Sequence, residues 1–204
     1  IRDEVASLGL IEALWQFFRP DNASNPLRRQ LQWSNLRLSL AGGEPMLYAR
    51  QIARVARHER DRLGRCRIRR DDVSMITNGS LLPRIPEELN ELARSLDMLG
   101  LSIDAVSDSR NRAIGRADRK ESTLSLEQLA RLVNNLRAAH PGIALKVNTV
   151  VNAFNVHDDL RGVIDALRPD RWKLLRVLPV LNGDLVVSDT DFAAFVARHA
   201  CLGT

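Results

Sequence analysis

Cysteine is scarce in this sequence. Its two cysteines, Cys66 and Cys201, lie far apart among 204 residues, and neither belongs to a CxxC pair. Disulfide frameworks and thiolate metal sites both require several cysteines at short, defined spacings. We therefore predict neither kind of site and interpret each cysteine as an isolated thiol.

Long apolar runs are also missing. No stretch approaches the run of about 18 apolar residues that a membrane-spanning helix needs, and the first residues show no basic segment followed by an apolar one. We therefore expect a soluble, cytoplasmic protein that makes no contact with a membrane. The chain begins with Ile1 instead of methionine, which suggests a piece of a longer product.

Aromatic residues make up 4% of the chain, with a single tyrosine. Proteins that read nucleic acids usually combine a basic surface with aromatic stacking platforms or with a recognisable groove-reading motif. The chain is basic, with a formal net charge of +5 and a pI of about 10.0, but it shows neither of the other features. A nucleic-acid partner is therefore not expected, and the arginines between residues 50 and 70 are interpreted as a solvated helix face and its flanks.

What the sequence does contain is a regular alternation of strand-like and helix-like patterns, which differ in their hydrophobic period. The predicted strands cover residues 36–41, 73–77, 99–105, 144–151 and 172–180, and the predicted helices cover residues 3–18, 46–63, 86–96, 126–139 and 156–168, the last with Asn155 as its N-cap. This order predicts an α/β fold with a parallel sheet and right-handed crossovers. In such folds the ligands gather at the carboxyl ends of the strands.

Glycine and polar residues follow several of these strands. The first strand runs into Gly42, Gly43, Glu44 and Pro45, and the second runs into Asn-Gly-Ser at residues 78–80. The two glycines allow the backbone to approach a ligand closely, and the proline ends the strand. Taken alone, GGEP is also typical of an ordinary turn. Its position between a strand and a helix indicates a ligand-facing strand end.

Five stretches, in this order along the chain, resemble the viperin family of radical S-adenosylmethionine (SAM) enzymes and its prokaryotic members. They are LSLAGGEP, ITNGSL, LSIDAV followed by IGR, KVNTVVNAFNVHDDL, and RWKLL. KVNTVVNAFNV and RWK are the discriminating pair, because GGEP occurs across the whole superfamily. The resemblance implies a partial (β/α)6-type barrel with parallel strands, in which residues 1–204 form one radical SAM core domain that is incomplete at both ends.

The resemblance also implies which residues contact SAM. Residues 42–44 match the segment that holds the methionyl amino group. Asn78 matches a polar contact to SAM, Ser102 a hydroxyl near the ribose, and Arg116 the guanidinium that pairs with the SAM carboxylate. The alternative for each of these three is local: a turn residue, a strand-end residue and a surface residue.

A nucleoside triphosphate is the second ligand that the resemblance implies. Arg37 takes the place of a family lysine, Lys146 and Asn148 lie on the KVN strand, and Arg171 and Lys173 lie on RWK. Cations from separate strands suit a ligand with several negative charges. The alternative is that the two lysines lie at strand ends and extend into solvent.

The resemblance implies a lyase that synthesises an antiviral nucleotide. It would convert a ribonucleoside triphosphate into its 3′-deoxy-3′,4′-didehydro analogue. In this family a [4Fe-4S] cluster cleaves SAM to a radical that removes the ribose 4′ hydrogen, and a ferredoxin or flavodoxin donates the electron. The first strand and the CxxxCxxC loop that binds the cluster are expected upstream of Ile1, so no catalytic or metal-binding residue is assigned here and the isolated chain is expected to be inactive. Two alternatives stay open: a radical SAM enzyme with a different substrate, such as a peptide, and a nucleotide- or SAM-binding α/β module without turnover.

Overall fold

The computed structural model describes residues 3–19, 21–31, 33, 37–63, 73–114, 125–178 and 183–200. Within these residues, five parallel strands form one sheet, and their order in the sheet is their order in the chain. The strands are β1 (Leu38–Leu40), β2 (Val73–Thr77), β3 (Met98–Ser102), β4 (Ala144–Val151) and β5 (Arg171–Arg176). The predicted parallel α/β sheet is thereby confirmed.

Helices lie in the connections between the strands, and an α-helix precedes β1 and another follows β5. They are α1 (Glu4–Phe18), α2 (Ala49–Leu63), α3 (Pro86–Ala93), α4 (Asp108–Ala113), α5 (Leu126–Ala139), α6 (Arg161–Leu167) and α7 (Asp189–His199), and a short 3-10 helix, Pro45–Tyr48, precedes α2. Because the strand order never reverses, right-handed crossovers place the connecting helices on a single face of the sheet. This arrangement agrees with the expected partial barrel, whereas a doubly wound sheet would reverse its strand order.

Side chains along the strands alternate between a buried face and a more open one. On β2, Val73, Met75 and Thr77 are buried, whereas Ser74 and Ile76 are half-buried. The buried apolar residues of the strands belong to a hydrophobic core that also includes residues of α2, α3, α5 and α6. The core therefore lies between the sheet and the helices, and the alternate residues of each strand point to the opposite face of the sheet.

Helices α1 and α5 each begin at a side chain that satisfies one of their first backbone N–H groups. Asp3 accepts a hydrogen bond from the backbone N–H of Ala6 at the start of α1. Ser125 and Gln128 form a reciprocal capping box at the start of α5. These caps reinforce the hydrophobic pattern, and the predicted helices over residues 3–18 and 126–139 are confirmed.

The prediction that Asn155 caps a helix over residues 156–168 is wrong. Helix α6 begins at Arg161, and its N-cap is Leu160. Asn155 is fully buried, and its side chain bonds to Asp104 and to the end of β4 instead. Strand β3 also ends at Ser102, earlier than predicted, and the structure contains α4 and α7, which were not predicted.

Cys66, Cys201 and Arg116 lie outside the described residues, so the statements made about them from the sequence stay predictions. In the ranges that the structure describes, no helix combines the length and the apolar character that crossing a membrane requires. The organisation of the chain as one radical SAM core domain also stays a prediction.

Candidate functional site

A row of polar side chains crosses the open face of the sheet, from the carboxyl ends of β2 and β3 to the middle of β4 and β5. The sheet register pairs Ser102 of β3 with Asn148 of β4, and Asn148 with Lys173 of β5. Asn78 extends the row, because it follows Thr77, whose partner on β3 is the residue before Ser102. Paired residues of neighbouring strands point to the same face and lie about 5 Å apart. We call Asn78, Ser102, Asn148 and Lys173 the site row.

Three cations lie together on β4 and β5. Lys146 pairs directly with Arg171, and Lys173 lies two residues further along β5 on the same face. The pKa of Lys146 is lowered, mainly by burial of its ammonium group and further by the charges of Lys173 and Arg171. We call these three residues the cation cluster. Its mutual repulsion would be relieved by a bound anion.

A glycine borders the cation cluster on the other side. Gly100 of β3 is the partner of Lys146, and a Cβ atom at this position would lie 3.1 Å from Cγ1 of Ile76. A glycine inside a strand often marks a place where a ligand or another backbone approaches. Here the neighbour is the backbone of β2, because a Cβ atom at Gly100 would also lie 3.2 Å from the carbonyl oxygen of Met75. Sequence reasoning did not single out this residue.

Asn148 carries a polar atom that none of the described residues satisfies. The residue is 8% exposed, and within the described residues no donor lies in hydrogen-bonding distance of its buried Oδ1. A buried acceptor without a partner costs about 1–3 kcal/mol, and such atoms are rare in native proteins. A ligand that donates a hydrogen bond here would remove this cost.

The end of β1 exposes glycine backbone. Gly42 and Gly43 have φ angles of 103° and 55°, and both are exposed. Positive φ values of this size favour glycine, because a Cβ atom would be strained in this conformation. The sequence prediction of a ligand-facing strand end is compatible with this geometry.

Glu44 connects the ends of β1 and β2. Within the described part of the chain, three donors reach its carboxylate: the N–H of Met46 at 3.0 Å, the hydroxyl of Thr77 at 2.6 Å and the N–H of Asn78 at 2.9 Å. A carboxylate has about four lone-pair sites, so the side chain can accept from one further donor. The contribution of Thr77 was not predicted from the sequence.

Asn78 also stabilises its own turn. Its Oδ1 accepts a hydrogen bond from the N–H of Ser80 at 2.9 Å, and Gly79 has a φ of 81°. This is the local role that the sequence left open as the alternative. The side chain is exposed at the end of β2, and its contact with SAM stays a prediction.

Arg37 stands apart from the site row. It precedes β1, and strands β2 and β3 lie between β1 and the strand that carries Lys146. It lines a cavity of about 220 Å³ together with residues of α1, including Trp15. The structure therefore does not bring Arg37 next to the cation cluster, and its contact with a substrate stays a prediction.

A group of buried polar residues behind the site row was missed in the sequence. Asp104, Thr149, Asn152 and Asn155 are each at most 4% exposed. The side chains of Asp104, Thr149 and Asn155 bond to backbone groups where β3 and β4 end, including the backbone of Asp104 and of Asn152. The one available hint was the pair of asparagines three residues apart directly after a strand.

The sequence of this chain matches a known protein family. A family model described as the radical SAM superfamily matches residues 28–167, which is more than half of the 204 residues. This chain belongs to the radical SAM superfamily. The matched range contains Glu44, Asn78, Ser102, Lys146 and Asn148.

Two curated relatives are similar to most of the chain. An S-adenosylmethionine-dependent nucleotide dehydratase from Pseudoalteromonas ulvae is 38% identical over 177 residues, which cover 87% of this chain and 54% of that protein. A protein of the same name from Psychrobacter lutiphocae is 33% identical over 171 residues, which cover 84% of this chain and 54% of that protein. The resemblance inferred from the motifs is confirmed, and the chain spans about half the length of these relatives.

A solved structure supports the fold. The crystal structure of a domain of pyruvate-formate lyase-activating enzyme from Bacteroides vulgatus ATCC 8482 matches with a TM-score of 0.54 and 16% identity. The match covers 82% of this chain and 94% of that domain. At this low identity the likeness concerns the fold alone.

Membership of the superfamily implies SAM and a [4Fe-4S] cluster. Cysteine thiolates hold such clusters, and this sequence has two cysteines. Among the residues that the structure describes, no group of three or more His, Cys, Asp or Glu side chains could hold a metal ion. The described residues therefore do not fit a cluster site, whereas the oriented carboxylate of Glu44 fits a cationic group.

Proposed function

We propose that this chain is the SAM- and nucleotide-binding core of a radical SAM enzyme that converts a ribonucleoside triphosphate into its 3′-deoxy-3′,4′-didehydro analogue. The observation that carries the proposal is the buried Oδ1 of Asn148 beside the cation cluster, which has no hydrogen-bond partner in the described part of the chain. The names of the relatives supply the reaction class, because both are SAM-dependent nucleotide dehydratases.

The nucleotide would lie over β4 and β5. Phosphate oxygens would accept hydrogen bonds from the cation cluster, and charge-assisted bonds of this kind are stronger than neutral ones. The Oδ1 of Asn148 is an acceptor, so it would take a donor such as a ribose hydroxyl. The charged phosphates would thus contact the cation cluster, and the neutral ribose would contact the neutral side chain of Asn148.

The cofactor would lie at the ends of β1, β2 and β3. The exposed backbone of Gly42 and Gly43 and the carboxylate of Glu44 suit the methionyl ammonium group of SAM. Asn78 and Ser102 suit its other polar groups, and Arg116 its carboxylate. Since Ser102 and Asn148 are partners in the sheet, the two ligands would lie side by side.

When bound, SAM and a reduced [4Fe-4S] cluster supply the radical that removes the ribose 4′ hydrogen. The residues of this chain bind the two ligands and hold them in register. Cysteine thiolates would hold the cluster, and the described residues include none. A ferredoxin or flavodoxin as electron donor and a cytoplasmic location stay predictions.

Mass spectrometry tests the reaction. The enzyme with a reconstituted cluster is incubated with SAM, dithionite and each of ATP, CTP, GTP and UTP. We expect a didehydro product from at least one of them. SAM cleavage with no such product would favour a radical SAM enzyme with a different substrate, and binding without any turnover would favour a binding module.

Calorimetry tests the binding site in the isolated chain. Lys146→Ala is expected to weaken binding of the preferred triphosphate by about ten-fold or more, because a hydrogen bond to a charged group contributes about 1.5–3 kcal/mol. Arg54→Ala is the control, since Arg54 is an exposed cation of α2 that pairs with Glu4. Equal losses in the two variants would contradict the proposed site.

A further inference from the structure

Past the site row, polar side chains form further hydrogen bonds between the segment that follows β3 and the last residues of β4. The hydroxyl of Thr149 donates a hydrogen bond to the carbonyl of Ile103 at 2.7 Å. The N–H of Val150 donates to Oδ1 of Asp104, also at 2.7 Å. The end of β3 is therefore fastened to β4 by polar side chains in addition to the backbone ladder.

Asn155 lies at the centre of this connection. Its amide nitrogen donates to the carbonyls of Asp104 at 2.7 Å and of Val150 at 2.9 Å, and its Oδ1 accepts from the N–H of Asn152 at 2.7 Å. The side chain thus bonds to the segment after β3, to β4 itself and to the loop after β4. We call Asp104, Thr149, Asn152 and Asn155 the polar brace.

The polar brace begins where the candidate ligand contacts end. Asp104 follows Ser102 by two residues, and Thr149 follows Asn148 directly. Because Ser102 belongs to the proposed SAM side and Asn148 to the proposed nucleotide side, the brace fixes the separation of the two ligands. A fully satisfied buried polar network is rigid and specifies one geometry.

A second connection ties the flanking segments together. Arg110 of α4, which follows β3, donates to the carbonyl of Phe154 in the loop after β4. Its guanidinium also pairs with Asp158 at 3.0 Å. The N–H of Phe154 in turn donates to Oδ1 of Asn152, a member of the polar brace. The segments after β3 and β4 therefore form one bonded unit.

We propose that Asn155 is a positioning residue that holds β3 and β4 in one register, so that ligand binding at one strand end favours ligand binding at the other. The inference rests on the proposed function, because it needs a cofactor side and a nucleotide side. The polar brace joins the ends of β3 and β4 into one rigid unit, so the first ligand that holds this unit in its binding position leaves the second ligand less conformational entropy to lose. Such coupling is reciprocal and typically amounts to about 5–150-fold in affinity.

The test is calorimetric binding of ATP, CTP, GTP and UTP to the chain, with and without S-adenosylhomocysteine. In the wild type we expect S-adenosylhomocysteine to tighten binding of the preferred nucleotide by about five-fold or more. In Asn155→Ala each ligand should still bind alone, but the gain should disappear. A matched control is Asn25→Ala, because Asn25 is 2% exposed and also bonds through both ends of its amide, yet it lies outside the polar brace.

A second pair of variants keeps the inference testable if Asn155→Ala does not fold. Thr149→Val keeps the side-chain volume but removes the hydroxyl that donates to Ile103 and accepts from Trp172. Thr149→Ser keeps the hydroxyl. We expect the valine variant to lose the coupling and the serine variant to retain it.

The outcomes separate the two proposals. Coupling that survives in Asn155→Ala or in Thr149→Val overturns the positioning role, as does a wild type that binds both ligands without coupling. Loss of coupling in Asn25→Ala as well would overturn it too, because any buried asparagine would then have the same effect. A wild type that binds neither ligand overturns the proposed function itself.

Discussion

Asn148→Leu should stabilise the protein while it removes nucleotide binding. Leucine has the same branched side-chain skeleton as asparagine but no polar atoms. The substitution therefore eliminates the buried Oδ1 that has no hydrogen-bond partner among the described residues. At ligand-binding sites, a substitution that stabilises the protein often lowers its activity.

The magnitude follows from the burial of this side chain. Asn148 is 8% exposed, so its unsatisfied acceptor has lost almost all contact with water. Removal of a buried unsatisfied group should raise the free energy of unfolding by about 1–3 kcal/mol. For a chain of this length, each kcal/mol raises Tm by about 2–4 °C.

Urea unfolding followed by circular dichroism measures the effect. Asn25→Leu is the matched control, because the Asn25 amide donates to the carbonyl of Phe17 at 2.7 Å and accepts from the N–H of Leu27 at 2.9 Å. This control should lose stability, since leucine leaves both partners unpaired. If both leucine variants lose stability equally, the unpartnered acceptor in Asn148 is not a source of instability and the reasoning fails.

Three further predictions concern single residues. Glu44→Gln should weaken binding of S-adenosylhomocysteine but not of nucleotide in calorimetry, because it removes the negative charge that would face the ammonium group of the proposed ligand; equal weakening of both ligands would count against this role. The pKa of Lys146 is lowered, first by burial and then by neighbouring cations, and a bound triphosphate favours the charged lysine. Nucleotide affinity should therefore fall as the pH rises through the lowered pKa, and Lys146→Arg should keep its affinity to higher pH because arginine stays protonated. Arg168 ends α6 with a φ of 45°, so Arg168→Gly should add about 0.5–1 kcal/mol to the free energy of unfolding in urea, whereas Arg168→Ala, which keeps a Cβ atom, should add nothing.

The sequence predicted those elements whose pattern is local. β2, β4 and α5 have the predicted bounds because their hydrophobic periods are regular and because α5 starts at a capping box. α4 was missed because DSRNRA has no apolar face, and its helix depends on Ser107, which caps its start, and on Asn111, which bonds to Ala105. α7 could have been found, since Ser188 and the acidic residues after it are typical of a helix start.

The sequence predicted less of the candidate site than of the fold. The sequence placed Asn148 on the same face as Lys146, since residues two apart in a strand share a face. It could not show that Oδ1 of Asn148 is buried without a partner, because burial depends on neighbours contributed by other strands. Asn155 was misassigned for the same reason. An asparagine before a polar run is typical of an N-cap, but the side chain of Asn155 instead donates hydrogen bonds to the carbonyls of Asp104 and Val150.

The sequential order of the strands bears on how the site is completed during synthesis. Each strand pairs with the one made just before it, so the sheet can grow from its first strand while the ribosome is still adding residues. Arg171 and Lys173 lie on β5, the last of the five described strands. A nascent chain that has reached Val151 can therefore already hold most of its core, but it acquires two of its three clustered cations only one crossover later.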